Sequence, residues 1–405
     1  MEIHGISKMQ RREQYKFIDL FAGIGGIRMA FEHAGNKCVF TSEWDKDAQK
    51  TYSANWPGET IFGDITKVDP KTIPDFDILC GGFPCQPFSS IGKRQGFSHP
   101  TQGTLFFNVR NILAEKRPDA FLLENVAGLE THDNGRTISV ILKCLRDELG
   151  YDTAYAVLDA ADYGVPQHRR RTFFVGFKKE LNAVFRFPEP TTAGKAVGIH
   201  PFVEWDADSP TISKHLQRSY IFKKNDGHPQ IIRRDDPRTN IPVKTLCASY
   251  HKIQRITGTF IEGGPTGLRL LTETECKRIQ GFPDNFKVPV CRTSMYHQFG
   301  NSVAVPVVEA IAVRLTAALR AARGNNDVKD DANVSSAKLK EGNRAEGRCT
   351  DVSAKTVRTM RSIPRQMLLA VEGDLASMSD KQKKLGLKGK KLSSGRAKAN
   401  IVPRS

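Results

Sequence analysis

Cys85 stands between two prolines in Gly81-Gly82-Phe83-Pro84-Cys85-Gln86-Pro87-Phe88-Ser89, directly after an apolar run at 76–80. A lone cysteine is more often a small buried hydrophobe than a reagent, and Cys80, inside the run, fits that description. Prolines stiffen the backbone around Cys85 and the glycines leave room beside it. A thiol there is presented from a loop at the end of a strand, where it could act as a nucleophile. A second pattern lies upstream, in Phe17-Ile-Asp-Leu-Phe-Ala-Gly-Ile-Gly-Gly26. It reads as a strand, a tight turn carrying Gly23, Gly25 and Gly26, and a helix start whose N–H groups favour a closely approaching or anionic ligand. About twenty residues on, Glu43 ends a second strand, where a carboxylate can accept from both hydroxyls of a ribose. Trp44 beside it offers a flat face to an adenine. Asp64, in Gly63-Asp64-Ile65 after a third strand, can take the adenine amino group. Alone, the glycine turn is equally a plain strand-to-helix connection; the acid at this distance favours a nucleotide-type ligand. The spacing is not G-x-G-x-x-G, which speaks against NAD and against an NAD oxidoreductase.

The elements that must position these groups follow from hydrophobic periodicity. Strands are expected at 15–20, 37–42, 76–80, 120–124 and 171–177, and helices at 27–34, 45–55, 105–116 and 137–149. Strands alternating with helices of about ten residues predict βαβ units and an α/β fold with a mostly parallel sheet, helices on both faces. In such sheets ligands bind beyond the carboxyl ends of the strands, where the Cys85 loop and the glycine turn both lie. From about residue 186 the pattern changes to Pro, Gly, Thr, Asp, Arg and His with short β-like runs at 231–232, 243–246 and 259–261, which predicts a small, loop-rich β lobe. Helices return at 270–280 and 305–319. The expected organisation is a flexible 1–14, a catalytic and cofactor-binding domain at 15–185 completed by 286–323, the lobe at 186–285, and a tail at 324–405.

The chain has 405 residues and a formal charge of +17, a balance suited to a polyanionic partner. Residues 324–405 hold 18 Lys and Arg against 9 Asp and Glu and contain no Phe, Trp or Tyr, so the tail carries about half the excess and reads as disordered. The eight cysteines are scattered without a Cys-x-x-Cys pair, so neither a metal site nor a disulfide framework is expected. No signal peptide and no apolar run long enough for a membrane is evident, and a cytoplasmic location is expected.

Five segments then combine into a resemblance. Phe17–Gly26, Pro84-Cys85-Gln86, Glu124-Asn125-Val126, Gln167-x-Arg169-x-Arg171 and Gln298-Phe-Gly-Asn-Ser-Val303 occur in the order found in cytosine-C5 DNA methyltransferases. Ser42-Glu-Trp-Asp and Gly103-Thr-Leu-Phe-Phe are similar to the bacterial restriction–modification enzymes of that family. The resemblance covers about residues 15–320 and implies a Rossmann-like S-adenosylmethionine-dependent fold. It implies that Cys85 adds to C6 of a flipped-out cytosine, that Glu124 holds the base edge, and that Arg169 and Arg171 stabilise the adduct and orient Glu124. Phe21, Gly23, Leu105, Asn301 and Ser302 are implied at the methionine end of the cofactor, with Ile65 beside Asp64. Capping of the helix that follows is an equal reading for Asn301 or Ser302, and the two roles are compatible.

The lobe is similar in position to a target recognition domain, which reads base edges in the major groove. Thr245-Leu246 resembles a Thr-Leu element of that domain, and Arg269–Thr272 to Gln280–Pro283 resembles the motif that orients it. Gln86, Ser89, Thr245, Arg233, Arg234 and Lys252 are the expected DNA contacts, with Arg238, Lys244 and Arg255 as further cations. Double-stranded DNA is the implied partner, bound by a monomer, with a cognate restriction endonuclease as functional counterpart and no metal. The rival readings are a tRNA cytosine-C5 methyltransferase, against which the roughly eighty loop-rich residues at 186–268 argue, and a catalytically inactive DNA-binding homologue, against which the intact Cys85, Glu124, Arg169 and Arg171 argue.

Overall fold

The computed structural model describes residues 14–84, 105–192, 194–224 and 229–324. Cys85, Gln86, Ser89 and the tail beyond 324 lie outside them.

Seven strands form the main sheet: β1 (Lys16–Leu20), β2 (Lys37–Ser42), β3 (Ile61–Phe62), β4 (Ile78–Gly82), β5 (Ala120–Val126), β6 (Tyr151–Asp159) and β7 (Arg170–Lys178). Their order is β3-β2-β1-β4-β5-β7-β6. The first five are parallel, and β7 runs antiparallel to both β5 and β6. The chain therefore steps outward from β1 to β3, then returns to the other side of β1 with β4. The carboxyl ends of β1 and β4 diverge there and open a crevice, as in other doubly wound sheets.

Side chains alternate between two cores, which is why these strands read as unbroken apolar runs. On β1, Phe17 enters one core and Ile18 and Leu20 the other; on β5, Ala120 and Leu122 oppose Phe121 and Leu123. The first core packs α1 (Gly26–His33), through Ile27, Ala30 and Phe31, together with the C-terminal helices. The second packs α3 (Leu105–Lys116) and α4 (Arg136–Lys143). Between β2 and β3, α2 (Lys46–Asn55) begins at Asp45, whose carboxylate accepts from the N–H groups of Asp47 and Ala48. The helix expected over 137–149 continues beyond α4 as a wider turn through Cys144–Glu148. β6 was not expected: its run Tyr-Asp-Thr-Ala-Tyr is half-polar because the strand lies at the sheet edge.

The lobe is loop-rich, as expected. A single helical turn, α5 (Lys214–Leu216), precedes a small sheet of β8 (Gln230–Ile232), β9 (Thr259–Glu262) and β10 (Leu268–Arg269) in the order β10-β9-β8. The run at 243–246 is a loop rather than a strand, with one isolated β-bridge, Val243 to Gln167, where it lies against the main domain. Helix α6 (Glu273–Gln280) starts with Thr272 and Glu275 in a reciprocal capping box. Glu275 also takes a two-pronged ion pair from Arg269 at 2.8 and 2.9 Å, with both side chains fully buried. Arg269 donates onward to the Glu204 carbonyl, so this pair joins the lobe's entry, its last strand and α6. Loss of either partner would strand a buried charge, a cost of roughly 3–5 kcal/mol.

Helices α7 (Arg292–Asn301) and α8 (305–324) close the fold. Together, Arg292–Gly324 has the length and apolar content of a membrane span, as buried core helices also can have. Its backbone breaks at 302–304, and Val305, Val308, Ile311, Leu315 and Leu319 are buried in the first core.

Candidate active site

A cavity of about 740 Å³ opens at the crevice between β1 and β4. Its floor is the turn after β1, where Phe21 and Gly23 both take positive φ, 56° and 55°. A phenylalanine in that region is strained, and such strain gathers where a backbone must be held against a ligand. The Ala22 N–H donates to the Ser42 carbonyl at 3.0 Å, and the Gly23 N–H donates to Glu43 Oε2 at 2.7 Å. The other oxygen of Glu43 accepts from the Asp45 N–H at 2.8 Å. Glu43 is thus a fixed carboxylate that braces the glycine turn while keeping lone pairs for a ligand. Burial raises its pKa, and the two backbone N–H groups oppose the shift. Trp44 lies at the cavity wall with 75% of its surface exposed, which leaves its indole open to a ligand. Asp64 and Ile65 also line the wall; Asp64 Oδ1 is engaged by the N–H and hydroxyl of Thr66, which leaves Oδ2 for an amino group.

Gly26 and Gly25 differ in role. A Cβ on Gly26 would come within 2.9 Å of Ser302 Oγ and 3.0 Å of Val303, so the missing side chain lets the returning segment close over the turn. Gly25 does not line the cavity. Its absent Cβ makes space for the Trp56 ring, 2.3 Å from where that atom would be, and its φ of 86° forms the left-handed start of α1. What the described residues show for Gly25 is this packing role. Leu105, Asn301 and Ser302 line the cavity as expected, and so do His297 and Gln298 on α7, which sequence reasoning had not singled out individually. Asn301 and Ser302 do not cap α8, since α8 begins only at 305.

The far end of the cavity carries the candidate chemistry. Gly82, the last residue of β4, is the register partner of Glu124 on β5, and a Cβ there would meet Glu124 Oε2 at 3.1 Å. Phe83 and Pro84 continue along the cavity wall into the Cys85 loop. Asn125 Nδ2 donates to the Phe83 carbonyl at 2.9 Å and so pins the base of that loop to β5. Arg171 Nε lies 3.0 Å from Glu124 Oε1, with side-chain exposures of 16% and 13%. Burial raises the Glu124 pKa, while the charges of Arg171 and Arg169 oppose that shift. The arrangement is a carboxyl inclined to keep its proton, held by one guanidinium, facing a cavity.

Arg169 departs from expectation. It is 2% exposed and does not line the cavity. Its guanidinium donates to the carbonyls of Leu246 at 3.1 Å, of Gly300 at 2.9 Å, and of Ser302. Burial and the neighbouring Arg171 charge lower its pKa to about 9, which leaves it cationic near neutrality. Its contacts among the described residues thus form a backbone bracket.

On the lobe, the Thr245 hydroxyl donates to the His168 carbonyl at 2.6 Å. Arg234 pairs with Asp206 at 2.7 Å and lies over the Trp205 ring, and Arg238 pairs with Asp236 at 2.8 Å. Arg255 is buried, with Nε on the Ile221 carbonyl and Nη2 on that of Lys224, so its expected role toward DNA is corrected to structural. Lys244 Nζ donates to the Ile256 carbonyl. Arg233 and Lys252 are exposed.

A second feature escaped the sequence reading. Asp19, on the β1 face that carries Phe17, is fully buried, with no side-chain donor on either oxygen. Nearby, Arg28 donates to Glu32, Tyr52 and Glu59 and lies over the rings of Tyr52 and Trp56. This cluster fixes Trp56, and Trp56 fills the space left by Gly25.

Fold and site together define an α/β enzyme with a nucleoside-sized cleft at the switch point of its sheet and a protonatable carboxyl at one end. Comparison with known proteins narrows this. The C-5 cytosine-specific DNA methylase family matches residues 15–317, and the chain belongs to that family. The type II methyltransferase M.MspI of Moraxella sp. is 54% identical over 306 residues, 76% of this chain and 71% of that protein. M.HpaII of Haemophilus parainfluenzae is 44% identical over 321 residues, 74% of this chain and 88% of that protein. Among solved structures, Spodoptera frugiperda DNMT2 superposes with a TM-score of 0.60 at 22% identity, covering 75% of this chain and 99% of that one. The S. pombe Dnmt2 methyltransferase gives 0.59 at 19%, over 75% and 98%. These last two likenesses speak to the fold.

Proposed function

We propose that the chain is a type II modification enzyme that methylates C5 of one cytosine within a specific sequence of double-stranded DNA, through covalent attack by Cys85. The observation that carries the reading is the Glu124–Arg171 pair, at one end of the cavity whose other end holds Glu43, Trp44 and the glycine turn. That cavity suits S-adenosylmethionine: Glu43 would accept from the ribose, Trp44 would stack on the adenine, and Asp64 would take its amino group. Phe21, Gly23, Leu105, Asn301 and Ser302 would surround the methionine end. When bound, S-adenosylmethionine supplies an electrophilic methyl group.

The remaining chemistry belongs to the protein. Cytosine C5 is a weak nucleophile; addition of the Cys85 thiolate to C6 makes C5 enamine-like. Glu124, whose pKa burial raises, would hold N3 and the amino group of the base and, when protonated, offset charge developing on the ring. Arg171 fixes the carboxyl in place. Loss of the C5 proton, with departure of the thiolate from C6, restores both the aromatic ring and the free cysteine. A base stacked in a duplex does not expose C6, so the target must be flipped out, and Gln86 and Ser89 of the same loop, with the lobe at 186–285, would hold the DNA. Arg233, Arg234, Thr245 and Lys252 lie on that lobe. The biological consequence would be protection of host DNA from a matching endonuclease, carried out by a monomer.

The test is trapping on a duplex in which 5-fluorocytosine replaces cytosine, with S-adenosylmethionine present. Fluorine cannot leave as a proton does, so the wild type should form a denaturant-resistant adduct and Cys85→Ser should not. No adduct with the wild type, or equal adducts with both, would sink the mechanism. Sequencing around the adducts identifies the chosen cytosine, and exchange of 186–285 for a relative's lobe should change that choice.

A further inference from the structure

Arg169 is an expensive way to build a strand end. A fully desolvated guanidinium is worth keeping when its rigid fork fixes segments that are distant in the chain against one another. Here it joins two. One is the lobe loop at 243–248, held at Leu246; the other is the turn Gly300–Ser302, whose residues line the cavity. The same two segments interlock without it. A Cβ on Gly300 would lie 2.2 Å from the Ala248 nitrogen and 2.4 Å from the Cys247 carbonyl carbon, so their backbones are in direct contact. Gln167 completes the joint: its Oε1 accepts from the Leu246 N–H at 2.8 Å, and its Nε2 donates to the Ile279 carbonyl at 2.9 Å. No residue of 243–250 lines the cavity itself.

We infer that Arg169 is a positioning residue that mechanically couples the cofactor cavity to the DNA-recognition lobe, by clamping the 243–248 loop to the Gly300–Ser302 turn. The inference rests on the cofactor reading given above. Ordering of the turn by a bound nucleoside is passed to the loop through the three carbonyls, and seating of DNA against the loop is passed back. Linkage makes the two effects reciprocal. Cofactor-loaded enzyme then holds the loop around Thr245 in the geometry that meets DNA.

Hydrogen exchange on the full chain tests this, with S-adenosylhomocysteine, the demethylated product, as the probe. In the wild type the probe should slow exchange in peptides covering 21–26 and 43–45, and also in those covering 244–250, by about fivefold or more, the lower end of ordinary coupling between sites. Arg169→Lys keeps the charge and loses the fork. It should keep the slowing at 21–26 and lose it at 244–250. Wild-type slowing confined to the cavity segments overturns the coupling, and so does slowing at 244–250 that survives Arg169→Lys. Absence of slowing at 21–26 is a separate result: it overturns the cofactor reading, and this inference with it. If Arg169→Lys does not fold, Gly300→Ala replaces it, because the added Cβ drives the turn away from Cys247 and Ala248 and should abolish the same long-range slowing. Retained slowing at 244–250 there likewise overturns the proposal.

Discussion

Asp19→Asn should stabilise this protein, and by an amount that grows with pH. The carboxyl is fully buried beneath the glycine turn, and burial raises its pKa from 3.8 to about 8, with the Arg28 charge opposing and the Glu43 charge adding to the shift. In the unfolded chain it ionises near its ordinary value. The folded state therefore binds a proton that the unfolded state has released throughout the interval between those values, and stability falls as pH rises across it. Each unit of separation is worth about 1.4 kcal/mol, so the group costs roughly 1.5 kcal/mol near pH 5 and roughly 5 kcal/mol near pH 8. Asparagine has the same shape and cannot ionise, so the substitution removes the pH-dependent cost and leaves the packing. Urea unfolding of both proteins near pH 5 and near pH 8, at one ionic strength, measures it. The gain on substitution should be larger at the higher pH by about 3–4 kcal/mol, and even half of that exceeds the error of the extrapolation. An equal change at both pH values, or a loss at the higher one, would refute the reasoning by showing that Asp19 is ionised in the fold.

Two further outcomes concern the site. Glu124→Gln should lower kcat by roughly 10²–10⁴, the usual value of a positioned proton donor. Burial raises the Glu124 pKa, so the wild-type rate should fall as pH rises through that raised value; single-turnover rates across pH should lose this limb in the variant, and an unchanged limb counts against the assignment. Trp44→Ala should weaken binding of S-adenosylhomocysteine by about 1–3 kcal/mol, the usual worth of stacking one base on an aromatic ring. Because Trp44 is 75% exposed, its thermal midpoint should not move; calorimetric titration showing an unaltered Kd would remove the indole from the site.

Much of this protein was legible in one dimension. Buried parallel strands carry continuous apolar runs, so β1, β2, β4 and β5 and the helices between them stand out locally, and α3 falls where its periodicity places it. The glycine turn, Glu43 and the proline-flanked Cys85 are local patterns too, each readable from a short stretch of sequence. Edge strand β6 was hidden because an edge needs only one apolar face, and half of its residues are free to be polar.

What only the tertiary structure decided is which member of a similar pair faces the cavity. Gly25 and Gly26 are neighbours in one motif, yet one makes room for Trp56 and the other for Ser302, a residue more than 270 positions away. Arg169 and Arg171 share a motif and a parity, and sequence alone treats them alike. Arg171 meets Glu124 at the cavity because that is where β5 pairs with β7, whereas Arg169 is covered by the 243–248 loop and the turn at 300–302. Segments so distant in the chain leave no local trace at residue 169. Burial, and with it the division between a charge that faces the cavity and one that is covered, is a property of what packs on top.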